Sequence, residues 1–297
     1  MMPRSPEFVV AQSIDEAVSA LQQYGDEATV VAGATAVTIM LQQGLIDPAA
    51  IVSIGRIDGL RGIQQSDGEL QIGALTTHRE VELDPTVREA LPILGTTFGM
   101  VANVRVRNAA TVGGVVAEAD YASDPPALLT ALDALVEIRG PDGERSIPIA
   151  DFLLGFYETA LGPAEIVTSV RVPVLPAGTG AVYEKFTTRS SEDRPCVGVA
   201  AVVRLDDEAA TCADLRVAVG AVAETPQRFA DIEAEARGRA IDAGLAGTIA
   251  DAYAERIDPL SDMRGSDWYR REMIRVWVRR AVLGARDAAA GRQAALA

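Results

Sequence analysis

Residues 111–124 read TVGGVVAEADYASD. The paired glycines let the backbone approach another group closely or adopt positive φ values, as in a loop that holds a ligand. A solvated turn explains the glycines equally well, since small residues and aspartates are common in turns. A turn does not account for Asp120 and Asp124 so soon before an apolar helix, although Asp124 could cap that helix with Pro125 in its first turn. These residues alone leave both interpretations open.

A second stretch, VVAGATAVTIM at residues 30–40, has a related pattern upstream. A buried strand is followed at once by small residues, which leave backbone N–H groups open to an anion, and Thr35 adds a hydroxyl. A tight strand-to-helix turn explains the same residues. Neither stretch contains a G-x-G-x-x-G pattern, so the sequence does not support a Rossmann site for a nicotinamide cofactor.

Around these two stretches, the N-terminal part of the chain alternates short strands with helices. Ser13 is predicted to cap the first helix, and a later helix is predicted to begin near residues 76–77. The segment 87–103 is predicted as one weakly capped helix. Arg105 and Arg107 follow as alternating positions on a predicted extended segment, where they face phosphates or solvent.

The C-terminal part of the chain has a different order of elements. Residues 125–153 predict a helix, a strand, a Pro-Asp-Gly turn and a return strand. After prolines and a glycine at 173–178, three strands suited to an antiparallel meander precede a helical remainder. We therefore predict an α+β chain. The predicted limits are a first domain at 1–176, a second at 177–288 and a tail at 289–297.

Composition indicates a folded globular protein. The chain has 297 residues, of which 48% are hydrophobic and 23% charged, enough for two domains. Its formal net charge of -15 repels nucleic acid and anionic lipid, so neither is an expected partner. Residues 1–17 lack the pattern of a secretory signal, and no 18-residue apolar run suggests membrane insertion. We expect a cytoplasmic protein.

Cysteine and histidine are too scarce for most metal centres. Cys196 and Cys212 cannot form an iron–sulfur cluster or a structural zinc site, and a disulfide between them is unsupported in a cytoplasmic chain. The single histidine, His78, argues against a histidine-based metal site or a Ser-His-Asp triad and is predicted to start a helix or pack. Redox chemistry here would require an organic cofactor.

Five sequence blocks in order carry a family resemblance. They are AGATAVTIML, ELQIGALTTH, VRVRNAATVGGVVAEADYASDPPALLTALDALVEI, EIVTSVRVP and YEKFTTRSSED. In this order the chain resembles the FAD-binding medium subunit of the molybdenum hydroxylases, such as aerobic carbon monoxide dehydrogenase and xanthine dehydrogenase. The resemblance implies a FAD-binding fold of the vanillyl-alcohol-oxidase (PCMH) type in two α/β subdomains. A C-terminal domain with a three-stranded antiparallel sheet and helices follows.

The resemblance also implies the residues that contact FAD. Two loops would wrap its pyrophosphate and ribityl chain, the first made of Ala32, Gly33, Ala34, Thr35, Ala36 and Val37, and the second containing Ala110, Thr111, Gly113 and Gly114. Asp124 matches an aspartate that contacts FAD, Val167 a hydrophobic position beside it, and Lys185 a lysine close to the flavin end. Asp120 matches a second acidic position, and the polar turn at 192–194 lies near the flavin in the family.

Some side chains depart from the family pattern. Ala34 replaces the second glycine of the first loop, and Ala36 replaces a polar residue. Val115 stands where asparagine is frequent, and Glu118 where histidine or threonine is frequent. These changes remove side-chain hydrogen bonds but leave backbone hydrogen bonds possible, so FAD binding is still expected.

The implied function is electron transfer. FAD would accept electrons from [2Fe-2S] clusters of a small partner subunit and pass them to an external acceptor, while molybdopterin lies on a large partner subunit, in a dimer of heterotrimers. The alternatives are a stand-alone FAD-dependent oxidoreductase and a scaffold subunit without flavin. Trp268, Tyr269 and Trp277, at helical spacing, are predicted as core or subunit contacts.

Overall fold

The chain begins with a small unit built on three parallel strands. A computed structural model describes residues 5–206 and 211–296. Residues 1–4 of the segment 1–17, which is predicted to lack a secretory signal, lie outside these ranges. The elements of this unit are β1 (Glu7–Val10), α1 (Ile14–Tyr24), β2 (Ala28–Val31), α2 (Val37–Gln42) and β3 (Ala50–Ser53). Strand β3 pairs with both others in the order β1-β3-β2.

Helix α1 forms where its N-cap residue and the spacing of its apolar residues predict a helix. Ser13 is its N-cap, and the Ser13 hydroxyl accepts a hydrogen bond from the Glu16 N–H at 3.1 Å, as predicted. Its apolar side chains recur every three to four residues, so Ala17, Val18 and Leu21 all face the core. The unit therefore buries one face of α1 on the short parallel sheet.

A second unit has a five-stranded sheet and most of the helices. Its first elements are β4 (Ile63–Ser66), β5 (Glu69–Gly73), α3 (His78–Leu83), α4 (Pro85–Ala90), α5 (Pro92–Gly99), α6 (Val104–Arg107), α7 (Val112–Glu118) and α8 (Asp124–Ala131). The remaining elements are β6 (Leu135–Gly140), β7 (Gly143–Pro148), α9 (Ile149–Phe152), β8 (Leu153–Gly155), β9 (Glu158–Thr159) and β10 (Ile166–Pro173). The antiparallel sheet has the order β4-β5-β10-β6-β7.

Two local predictions in this unit are wrong. The segment 87–103 is not one helix, because α4 ends before Pro92 starts α5, and a proline ring cannot follow a helical turn without losing a hydrogen bond. Asp84 also caps α4 with its carboxylate. The segment with Arg105 and Arg107 is a helical turn instead of an extended strand, since the Asn103 side chain accepts two backbone hydrogen bonds and starts α6.

The C-terminal domain confirms the predicted meander and helices. Its elements are β11 (Thr179–Phe186), β12 (Val197–Leu205), β13 (Cys212–Gly220), α10 (Ala230–Ala234), α11 (Ala243–Arg256) and α12 (Asp267–Leu296). The three strands pair antiparallel in sequence order. Helix α12 continues without a break beyond residue 288. Cys196 and Cys212 are buried and free.

The two domains meet where α8 lies against β12 and β13. A Cβ atom on Gly220 of β13 would come within 2.9 Å of the Ala127 Cβ atom of α8, so the glycine permits this close approach. Tyr121, just before α8, donates from its hydroxyl to Asp262 of the C-terminal domain at 3.0 Å. Among the described helices, none combines the length and apolar character needed to cross a bilayer.

Gly180 offers a test of the packing of α12. A Cβ atom on Gly180 would lie 2.1 Å from the Ala285 carbonyl oxygen and 2.3 Å from the Ala289 nitrogen, both fixed backbone atoms. We expect Gly180→Ala to lower the free energy of unfolding by about 1–3 kcal/mol in urea denaturation. Gly247→Ala is the control, because nothing lies within 4 Å of that position inside α11. It should raise stability by about 0.5–1 kcal/mol; equal losses in both variants would contradict this packing.

Candidate functional site

The two small-residue stretches are in direct contact. A Cβ atom on Gly33 would lie 1.8 Å from the carbonyl oxygen of Ala109, far inside any possible contact distance. The first loop therefore lies against the backbone that leads into the second stretch, and only glycine fits at position 33.

The first loop presents its main chain as a set of donors. Ala34 has a φ of 59°, the left-handed conformation that favours glycine. Within residues 5–206 and 211–296, the backbone N–H groups of Gly33, Ala34 and Thr35 donate to no other residue. Because consecutive unused N–H groups around a left-handed residue form an anion-binding concavity, the loop suits a phosphate group. Ala34, which stands where the family pattern has a glycine, thus adopts a conformation that favours glycine.

The second stretch is a helix start and not a loop. Thr111 is the N-cap of α7, and its hydroxyl accepts the Gly114 N–H at 3.1 Å. Neither glycine has a positive φ. Gly113 is instead required by packing, since its Cβ would lie 2.5 Å from the Cβ of Ala74. The prediction of a glycine loop here is therefore wrong in conformation, and helix capping by threonine was the signal for the correct structure.

Hydrogen bonds already occupy much of this second stretch. The Ala110 carbonyl accepts from the His78 N–H, and the Val112 and Gly113 N–H groups donate to the Thr76 and Ala74 carbonyls, all at 2.9 Å. The unused donors identified for an anion therefore lie in the first loop. The second stretch serves as the surface against which that loop is fixed.

Asp124 does not cap the helix that it begins. Ser123 occupies the N-cap position of α8, and the Asp124 carboxylate turns instead to the C-terminal domain. Its Oδ2 accepts from the Lys185 Nζ at 2.8 Å, and its Oδ1 accepts from the Tyr183 hydroxyl at 2.9 Å. Lys185 also donates to the Met100 carbonyl at 2.9 Å. The capping interpretation of Asp124 is thus wrong, because a buried cation outcompetes the helix N-terminus for the carboxylate.

The Asp124–Lys185 ion pair is almost completely buried. The side chains are only 4% and 7% exposed. Burial raises the pKa of Asp124, and the ion pair and the hydrogen bonds from Lys185 and Tyr183 oppose that change. Tyr183 was missed at the sequence level. Its signal was the spacing of two residues from Lys185, which puts both side chains on one face of β11.

Asp120 and Glu118 form a second acidic group at the end of α7. Asp120 is buried and is paired with the guanidinium of Arg194 at 2.5 Å. Arg194 belongs to the predicted polar turn between β11 and β12, which the ion pair ties to the first domain. Burial, reinforced by the charge of Asp120, raises the pKa of Glu118 to about 7.

Val167 lies in the sheet beneath the second stretch. It is buried in β10 at a break in the strand register, and the neighbouring Thr168 carbonyl accepts the Ala74 N–H at 2.9 Å. Since Gly113 packs on Ala74, Val167 is close to the second stretch. The predicted site residues thus form a loop group and a carboxylate group, joined by α7 and this sheet.

Other residues singled out in the sequence have structural roles. His78 is buried, starts α3 and meets the Phe98 ring edge at 4.9 Å between centroids, and burial lowers its pKa to about 4. Tyr269 and Trp277 pack on Phe186. The packing interpretation of these residues is confirmed, whereas Trp268 is 67% exposed and is not part of the core.

Comparison with known proteins identifies the family. The family profile described as the FAD binding domain in molybdopterin dehydrogenase matches residues 4–175, more than half of the chain. The chain belongs to this family. A profile described as the CO dehydrogenase flavoprotein C-terminal domain matches residues 181–285. The predicted fold, the FAD cofactor and the assignment to an oxidoreductase subunit are thereby confirmed.

Relatives of this molybdopterin dehydrogenase family member cover almost its whole length. The 6-hydroxypseudooxynicotine dehydrogenase complex subunit alpha of Paenarthrobacter nicotinovorans is 34% identical, over 94% of each chain. The carbon monoxide dehydrogenase medium chain of Hydrogenophaga pseudoflava is 33% identical, over 95% of this chain and 97% of the relative. A chain of carbon monoxide dehydrogenase from that organism, lacking the Mo-pyranopterin moiety of its cofactor, superimposes with a TM-score of 0.92 at 35% identity. That match covers 97% of this chain and 99% of the other.

Substitutions at two adjacent loop positions should have opposite effects. Ala34→Gly should raise the free energy of unfolding by about 1 kcal/mol, because glycine has no penalty in the left-handed conformation of this position. Gly33→Ala should lower it by about 3 kcal/mol through the clash with Ala109. Urea denaturation followed by circular dichroism measures both. A loss of stability in Ala34→Gly would contradict the left-handed conformation.

Glu118 should make stability depend on pH. Its folded-state pKa of about 7 lies above the ordinary value of 4.5, so the folded protein retains a proton that the unfolded chain releases. Stability must therefore decrease as the pH rises from about 4.5 to 7. Glu118→Gln should remove this loss and be more stable than the parent by about 1–3 kcal/mol at pH 8, with little difference at pH 4.5. The exposed Glu89→Gln control should keep the parent profile.

Proposed function

We propose that this chain is the electron-transfer subunit of a molybdopterin-dependent hydroxylase or dehydrogenase. Bound FAD would be the redox carrier, and the surrounding protein groups would tune its reduction potential. Electrons would come from reduced [2Fe-2S] clusters on a small partner subunit, which are oxidised as the flavin is reduced, and would leave to an external acceptor. The observation that carries the proposal is the set of unused N–H donors in the first loop, in a chain whose family binds FAD.

Different groups of the predicted site residues would contact different parts of FAD. The unused N–H groups of Gly33, Ala34 and Thr35 would bind the pyrophosphate, and Ala32, Ala36 and Val37 would keep the loop small enough for close approach. In the second stretch, Ala110, Thr111, Gly113 and Gly114 would fix that loop and line the ribityl chain. Asp124, Lys185 and Val167 would lie at the flavin end, with Asp120 holding the 192–194 turn near it.

The cysteine content and the relatives support the proposed partner subunits. No group of three or more potential metal ligands occurs among them, and the whole chain contains two cysteines. The relatives named as a complex subunit alpha and as medium chains support a multi-subunit assembly. We propose a small iron–sulfur subunit and a large molybdopterin subunit in a dimer of heterotrimers, in the cytoplasm, with a domain limit near residue 176.

FAD titration of the flavin-free chain tests the role of the first loop. Gly33→Ala should lose FAD binding, because the added Cβ displaces the loop from Ala109. Thr35→Ala is the matched control: it removes one hydroxyl but keeps the main-chain donors, so affinity should fall by about tenfold or less. Binding of roughly one FAD per chain is expected for a pre-formed site. A purified chain that takes up no FAD would favour the scaffold alternative.

Reduction kinetics test the electron-transfer role. In the flavin-loaded chain alone, substrates such as aldehydes, purines or carbon monoxide should leave the visible flavin absorption unchanged. Addition of the iron–sulfur and molybdopterin subunits should allow one of these substrates to bleach it. Bleaching by substrate without any partner would show a stand-alone oxidoreductase and overturn the proposal.

A further inference from the structure

Tyr183 is a buried hydroxyl aimed at the proposed flavin end of the site. It lies on β11 and is only 5% exposed. Its hydroxyl donates to the Asp124 Oδ1 at 2.9 Å, while Lys185, two residues further along the strand, donates to Oδ2 at 2.8 Å. One carboxylate is therefore held from both oxygens by two side chains of a single strand.

The sheet leaves room for this hydroxyl. Gly198 of β12 is paired with Lys185, and a Cβ atom on Gly198 would lie 2.3 Å from the Tyr183 oxygen. Any other residue at position 198 would push the phenol away. Burial and the charge of Asp124 raise the pKa of Tyr183 far above its ordinary value, so the hydroxyl stays protonated and acts as a donor.

The hydrogen bond from Tyr183 affects the charge of Lys185 indirectly. A donor on one carboxylate oxygen draws negative charge away from the other, and such charge-assisted bonds are stronger than neutral ones. With Tyr183 in place, Asp124 neutralises Lys185 less completely. Without it, the buried carboxylate would have Lys185 as its one remaining side-chain donor among the described contacts, and its negative charge would compensate the Lys185 charge more fully.

We propose that Tyr183 is a positioning residue that sets the reduction potential of the flavin through Asp124 and Lys185. This inference rests on the proposed function, in which Lys185 lies at the flavin end. Charge near the flavin ring tunes its electronics. Two-electron reduction adds negative charge to the ring, so the uncompensated part of the Lys185 charge favours the reduced form. Removing the Tyr183 hydroxyl therefore makes the potential more negative.

A reductive titration of the flavin-loaded full chain, with dithionite and a reference dye, tests this. Tyr183→Phe should lower the equilibrium constant for flavin reduction by about tenfold, equivalent to about 30 mV for a two-electron couple. Tyr253→Phe is the matched control, because it removes another buried hydroxyl, which donates to the Val217 carbonyl at 2.8 Å in the C-terminal core. Its potential should equal that of the parent chain.

A double-substitution cycle separates the charge effect from a packing effect. In a Lys185→Met background, Tyr183→Phe should leave the potential unchanged, since the charge through which it acts is gone. Should Tyr183→Phe fail to fold, Gly198→Ala displaces the same hydroxyl and must shift the potential in the same direction. An unchanged potential in a flavin-loaded Tyr183→Phe chain, or an equal shift in both backgrounds, overturns the inference. Failure of the parent chain to bind FAD overturns the proposed function instead.

Discussion

The structure depends on one buried ion pair between Asp124 and Lys185. The aspartate begins α8 in the first domain, and the lysine lies on β11 in the second. The Asp124 Oδ2 and Lys185 Nζ atoms are 2.8 Å apart. A buried pair of this kind adds little net stability, because desolvation offsets the attraction, but loss of one partner leaves an unpaired buried charge. Its consequence is geometric: the pair favours the domain arrangement in which both charges are satisfied.

The rest of the junction is arranged around this pair. The Lys185 ammonium also reaches the Met100 carbonyl, which links the end of α5 to the same point. Nearby in sequence, Arg194 of the second domain forms an ion pair with Asp120 of the first. The Tyr121 hydroxyl of the first domain donates a hydrogen bond to Asp262 of the second. The segment between α7 and α8 is thus held to the second domain by several polar contacts. A ligand bound along this segment contacts a surface that both domains have already fixed.

Local signals predicted much of the fold, and long-range contacts account for what they missed. Ser13 capped its helix as expected, because a cap and its partner lie three residues apart. Pro92 and Thr111 are equally local signals: Pro92 begins a separate helix within the predicted continuous one, and Thr111 caps a helix where the paired glycines favour a loop. Tyr183 and Asp124 are 59 residues apart in sequence, so no periodicity could pair them. The family resemblance implied the candidate site residues but not the contact of Gly33 with Ala109, which only the folded backbone reveals.

The left-handed backbone at Ala34 bears on how such chains diverge. A site that binds through main-chain N–H groups makes few demands on side chains, provided that the backbone conformation is kept. Ala34, Ala36 and Val115 leave the main-chain donors of the proposed phosphate loop in place, with a modest conformational cost at Ala34. A search pattern that insists on two glycines and an asparagine would reject this chain, although its first loop still has three unused N–H donors. A main-chain site of this kind constrains the backbone conformation of the loop more tightly than the identity of its side chains.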